Sequence, residues 1–177
     1  MSVVFLGTSD FAAAVLRRLA ASDAHRPALV VTRPDRPRGR GRRLASPPVA
    51  EAARELGLPL EQPERVNDPP ARALIAQAGG ERGSSGQTVV VCAFGALIKE
   101  PLLSEHEMLN VHPSLLPRWR GAAPIERAIE AGDELSGVTI MRPIAELDAG
   151  PICLQREEPI RSDDDFGTLA QIGRAHV

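Results

Sequence analysis

Apolar residues fall along the chain in short runs, each closed by a polar turn and followed by a helical stripe. Residues 3–6 form the first run, too short for a helix and bounded by Gly7, which predicts a buried strand. Asp10 offers an N-cap-like start to a helix over 10–20, with Phe11, Val15, Leu16 and Leu19 at helical spacing. A second strand is expected at 28–32, and Pro47-Pro48 opens a helix reaching about residue 56, where Gly57 ends it. A short strand at 58–61 and a helix at 70–77 come next. The glycine- and serine-rich stretch 79–87 reads as a tolerated surface insertion. The β-branched run 88–93 has the character of a central parallel strand, followed by a strand at 108–112. A helix over 123–131, a turn at Gly132-Asp133 and strands at 137–142 and 151–157 complete the pattern. Strands alternating with helices imply right-handed crossovers and a mostly parallel α/β sheet covered on both faces. Ligands of such sheets bind beyond the carboxyl ends of the strands, where Gly7-Thr8, Phe94-Gly95, Asn110 with His112, and the Asp148 loop are expected to gather.

Composition narrows the class. At 177 residues, 43% apolar and 25% charged, the chain suits one globular domain with a real core. No apolar run approaches the roughly 20 residues needed to cross a bilayer. The N-terminus lacks a basic flank and a small-residue cleavage site, so a cytoplasmic location and no membrane partner are expected. Cys92 and Cys153 stand alone in apolar segments, without Cys-x-x-Cys spacing. They are read as buried thiols, and no metal site is expected. The net charge of −2 says little, but its distribution says more. Arg33, Arg36, Arg38, Arg40, Arg42 and Arg43 against the single Asp35 give this segment a local charge of +5. Two prolines and two glycines interrupt it, predicting a mobile cationic loop over 33–44 that forms no packed helix or strand. One reading is a solvated surface. The favoured one is contact with a phosphate backbone, since clustered arginines gain affinity by displacing counterions.

The chemistry concentrates at residues 110–121, Asn-Val-His-Pro-Ser-Leu-Leu-Pro-Arg-Trp-Arg-Gly. Asn110 and His112 sit two apart at a strand end, which puts an amide and an imidazole on one face. Asn110 can donate a hydrogen bond to a developing oxyanion without competing for protons. His112 can donate one or shuttle a proton near neutral pH. Asp148, before Ala149-Gly150, can be brought by a glycine turn to orient the imidazole. Ser114 follows a proline and lacks the glycine elbow of a nucleophilic serine, so a binding or positioning role is expected. Arg118, Trp119 and Arg120 are either a surface clasp or a contact for RNA. Gly7-Thr8-Ser9-Asp10 lacks the Gly-x-Gly-x-x-Gly run of a dinucleotide site, and no Walker-type lysine motif exists.

Asn-x-His-x-Ser-Leu-Leu-Pro followed by Arg-Trp-Arg-Gly-Ala-Ala-Pro-Ile is similar to the central motif of methionyl-tRNA formyltransferases, within the wider group using 10-formyltetrahydrofolate. Phe5-Leu6-Gly7-Thr8-Ser9-Asp10-Phe11-Ala12, Pro34-Asp35-Arg36-Pro37, and Gly137-Val138-Thr139-Ile140-Met141 leading to Leu147-Asp148-Ala149-Gly150 agree with it in the family's order. The resemblance implies a Rossmann-like formyltransferase domain over 1–171. It implies Asn110, His112 and Asp148 as the catalytic trio and Ser114, Leu115, Leu116 and Pro117 lining the folate site, largely through backbone groups. It also implies direct formyl transfer through a tetrahedral intermediate, without metal, to initiator methionyl-tRNA. Arg36, Arg38, Arg40, Arg42, Arg43, Arg118 and Arg120 are the expected tRNA contacts, and no obligate protein partner is expected. An amino sugar nucleotide acceptor is the alternative, and an impaired RNA-binding fragment a second. A glycinamide ribonucleotide acceptor is less favoured, because the glycine-rich phosphate loop is absent. Residues 172–177 do not match the family's continuation and are expected to be a non-family tail. The resemblance implies a barrel-like second domain in relatives, and no counterpart to it is expected within these 177 residues.

Overall fold

The first strand, β1 (Ser2–Gly7), alternates its side chains between two layers: Phe5 packs into one core and Val4 and Leu6 into the other. This computed structural model describes residues 2–38, 42–78 and 86–171. β1 pairs in parallel with β2 (Pro27–Val31) and with β6 (Gln87–Cys92). The short β5 (Leu60–Glu61) extends the sheet beyond β2, and β7 (Glu107–His112) lies parallel to β6. β8 (Leu135–Met141) and β9 (Ile152–Pro159) finish a seven-stranded sheet in the order β5-β2-β1-β6-β7-β8-β9.

Helices cover both faces, as the alternation predicts. One core joins Phe5, Val30, Cys92, Val111 and Val138 to α1 (Asp10–Ala20), α2 (Pro48–Glu55), α5 (Pro124–Glu130) and α6 (Phe166–Leu169). The other packs Leu6, Val31, Val89, Val91 and Met108 against Ile75 of α3 (Pro69–Ala78) and Leu102 of α4 (Leu102–Glu105). Helix α4 is a single turn, too short to leave a periodic signature. The N-cap of α1 is Ser9 and not Asp10: Ser9 Oγ accepts from the Ala12 N–H at 3.3 Å, and Asp10 sits in the first turn, where its charge suits the helix dipole.

The sheet is mostly parallel as expected, and its details add one direction the sequence left open and correct two expectations. β8 runs antiparallel to β7, pairing His112 with Thr139 and Asn110 with Met141. Helix α5 has only seven residues, about 10 Å of rise, so the chain does not return to the foot of the sheet. It re-enters from the carboxyl end and descends. The arginine-rich segment is not strand-free: β3 (Arg36–Arg38) and β4 (Arg43–Ala45) form an antiparallel hairpin. Its base is tied down through Asp35, which accepts from Gln62 Nε2 at 2.8 Å and Ser46 Oγ at 3.0 Å, bonds that hold its carboxyl below the usual range. A two-stranded ribbon tolerates Pro37, since a missing donor there breaks no central ladder. Finally, Cys92 is buried but Cys153 is exposed, because β9 is an edge strand with its residues largely open to solvent. Arg40, most of the 79–87 stretch and the tail 172–177 lie outside the described residues.

Candidate active site

The carboxyl ends of the parallel strands converge. Thr8 Oγ1 donates to Phe94 O at 2.7 Å and Arg33 Nη1 to Gly95 O at 2.6 Å, which ties the ends of β1, β2 and β6 together. At the end of β7, Asn110 and His112 share the face occupied lower down by Met108. Asp148 meets them from the loop between β8 and β9. Its Oδ1 accepts from Asn110 Nδ2 at 3.3 Å, and its Oδ2 accepts from the Gly121 N–H at 2.9 Å and lies 3.6 Å from His112 Nδ1. That last gap exceeds hydrogen-bond length, so the carboxylate faces the imidazole as a nearby charge. The side chains of His112 and Asp148 are only 6% and 11% exposed, which leaves the pair little screened by solvent.

Local backbone geometry aims these groups. Asp148 adopts a left-handed conformation (φ 47°), which aspartate tolerates better than most side chains. The loop is closed by the Arg142 N–H donating to Pro151 O at 2.9 Å, and it demands glycine at 150: a Cβ there would lie 1.8 Å from Arg142 O. On the other side of the imidazole, Trp119 O accepts from His112 Nε2 at 2.9 Å.

The turn at residues 114–117 is held from below. Ser114 is fully buried and its Oγ donates to Arg118 O at 2.7 Å, which spends the hydroxyl on the main chain of the turn. Thr139 Oγ1 donates to Ser114 O at 2.6 Å and accepts from Leu116 N–H at 3.1 Å. Gln155 Nε2 reaches both Leu116 O, at 2.8 Å, and Thr139 Oγ1, at 2.9 Å. Thr139 and Gln155 were not among the residues expected to serve the site. The signal for Thr139 was a polar residue within an otherwise apolar strand run.

The arginines divide. Arg118 forks onto Asp133 (2.8 and 2.6 Å) and lies 4.4 Å over the Trp119 ring, while Trp119 Nε1 donates to Asp133 at 2.7 Å. Those bonds hold the Asp133 carboxyl down to about 2, Arg118 being the larger cause. Phosphate contact by Arg118 therefore competes with Asp133. Arg120 lies 3.5 Å from Glu146, and Arg36 pairs with Glu64 on the surface. Arg42 and Arg43 are exposed, Arg38 lies in β3, and the hairpin lies in sequence between β2 and α2. Among the described residues, no grouping of three or more His, Cys, Asp or Glu is placed to hold a metal ion, and no helix is long and apolar enough to cross a membrane.

The family model described as formyl transferase matches residues 1–176. A methionyl-tRNA formyltransferase of Neisseria meningitidis serogroup C (strain 053442) is 46% identical over 184 residues, covering 100% of this chain and 58% of that protein. One from Chromohalobacter salexigens is 47% identical over 171 residues, 96% of this chain and 50% of that one. This chain thus spans about half the length of the curated relatives it matches. A crystal structure of phosphoribosylglycinamide formyltransferase from Bacillus halodurans superposes with a TM-score of 0.75 over 99% of this chain and 91% of that one; at 23% identity it speaks to the fold alone. With its mostly parallel α/β sheet and a match running almost end to end, the chain belongs to the formyl transferase family.

Proposed function

We propose that this chain transfers a formyl group from 10-formyltetrahydrofolate to the free amino group of methionyl-tRNA; the relatives named methionyl-tRNA formyltransferase support that acceptor. The observation that carries the reading is the meeting of Asn110, His112 and Asp148 at the carboxyl end of β7. The site suits a formylated folate: an amide has two N–H donors, and the contact from Asn110 to Asp148 occupies one of them. The backbone of Ser114, Leu115, Leu116 and Pro117 would hold the pterin. The bound donor supplies an already activated acyl carbon.

The residues then have distinct work. Asn110 donates to the oxygen of the attacked carbonyl as negative charge develops there; removing one such donor typically costs about 10²–10³ in turnover. His112 accepts the proton released as the amine nitrogen forms its new bond to carbon. Asp148, facing that ring, stabilises the cation so formed. The same proton is available to the departing nitrogen when its bond to the formyl carbon breaks, so no covalent enzyme intermediate is needed. Arg36, Arg38, Arg40, Arg42 and Arg43 offer phosphate contacts for the tRNA, with Arg120 nearer the site. A polyanionic acceptor makes better use of that arginine cluster than an amino sugar nucleotide would.

Formyl transfer to methionyl-tRNA should be measurable with this chain, and His112→Ala should abolish it while folate binding persists. No transfer by the unmodified chain, or unchanged turnover in the variant, would refute the reading.

A further inference from the structure

We infer that Asp133 is a positioning residue that selects the tautomer of His112 through Trp119. A main-chain carbonyl can only accept, so the 2.9 Å contact with Trp119 O places the ring proton on Nε2. Nδ1 then keeps its lone pair, and Nδ1 is the nitrogen 3.6 Å from Asp148, whose other carboxylate oxygen accepts from Asn110. A base acting among those groups must be Nδ1, and a ring with the opposite tautomer would present a proton where an acceptor is needed.

The carbonyl that makes this choice belongs to a residue in an unfavourable conformation. Trp119 has φ 62°, a left-handed backbone that bulky L side chains rarely adopt and that persists only where the surroundings impose it. Asp133 is positioned to impose it. One carboxylate holds Trp119 by its indole N–H (2.7 Å) and holds Arg118 by two N–H groups (2.8 and 2.6 Å), while the Arg118 guanidinium lies over the indole 4.4 Å from its centre. The carboxylate is itself anchored, since the Asp133 N–H donates to Ala128 O at 3.0 Å at the end of α5. The side chains of two consecutive residues, Arg118 and Trp119, are thus fixed to one point outside the reacting groups, and the carbonyl that meets His112 belongs to the second of them. Among the described residues, no hydrogen bond or ion pair joins Asp133 to His112 or Asp148, so its effect passes through the chain at Trp119.

The catalytic part of this inference rests on the transferase reading, and the test separates the two. In the full chain with ¹⁵N-labelled histidine, long-range proton–nitrogen spectra at a pH above the usual histidine range report which ring nitrogen carries the proton; loss of one spin system in His112→Gln assigns His112. The unmodified chain should show a single Nε2–H ring. Asp133→Ala, and Trp119→Phe as the milder variant should the first not fold, should convert it to a mixture of tautomers. Turnover should fall by about tenfold or more, part of the 10²–10⁴ a positioned base supplies, while the KM for the formyl donor stays within about twofold. An Nδ1–H ring in the unmodified chain, or a pure Nε2–H ring in the folded variants, overturns the inference. The spectra need no substrate, so absence of formyl transfer would refute the transferase reading and leave the tautomer result to decide the role of Asp133.

Discussion

Replacing Thr139 by valine keeps the shape of a fully buried side chain and deletes one oxygen that makes three hydrogen bonds. Gln155 retains a partner in Leu116 O, but the Leu116 N–H and the Ser114 carbonyl lose the hydroxyl that satisfies them in a buried place. At about 1–3 kcal/mol for each orphaned group, Thr139→Val should cost about 2–6 kcal/mol. That is a large part of the 5–15 kcal/mol that typically separates folded from unfolded chains. Thr139→Ser is the control: it keeps the oxygen and removes one methyl, a loss of about 1 kcal/mol.

Urea unfolding followed by circular dichroism measures both. With a slope of about 2 kcal/mol per M, the valine variant should shift the midpoint down by about 1–3 M and the serine variant by about 0.5 M. The two groups left unpaired belong to the turn proposed to hold the pterin. The valine variant that still folds should therefore raise the KM for the formyl donor more than it lowers kcat. A valine variant as stable as the serine variant would refute the role given to this hydroxyl, because burial of unpaired backbone groups would then carry no penalty here.

Asp133 has a folded-state carboxyl lowered from 3.8 to about 2, so the clasp contributes stability that is complete above about pH 4 and is lost as pH falls toward about 2. Trp119, the sole tryptophan, should report this as a fluorescence change in that window, absent in Asp133→Asn. Gly150→Ala puts a Cβ 1.8 Å from Arg142 O, so the loop carrying Asp148 must shift; formyl transfer should fall about 10²-fold or more, as expected when positioned groups move by an ångström, while circular dichroism stays native. Replacing Arg40, Arg42 and Arg43 by serine should flatten the salt dependence of tRNA binding by up to about two to three units of log–log slope, checked by filter binding, with donor KM unchanged.

The strands and the pairing of Asn110 with His112 were legible because alternation is a property of the backbone itself: once 108–112 is a strand, residues two apart share a face. The apolar runs that fill the two cores likewise announced themselves, since a strand buried on both sides has no need of polar positions. What escaped the sequence depends on where the chain goes after a turn. The run at 137–142 reads as a strand but carries no mark of direction, and only the short α5 makes it antiparallel to β7. That reversal sets Thr139 opposite His112 and brings Gln155, on the next strand, under the turn at 114–117. Asp133 was readable as a turn residue, yet nothing local announces that its carboxylate would gather Arg118 and Trp119 from fifteen and fourteen positions earlier. Asn110 and His112 thus lie in a local motif, whereas Asp148 and the residues that hold the surrounding turns arrive by long-range pairing. Substitutions at Thr139, Gln155 or Asp133 should accordingly leave the motif intact to the eye while degrading the geometry on which its chemistry depends.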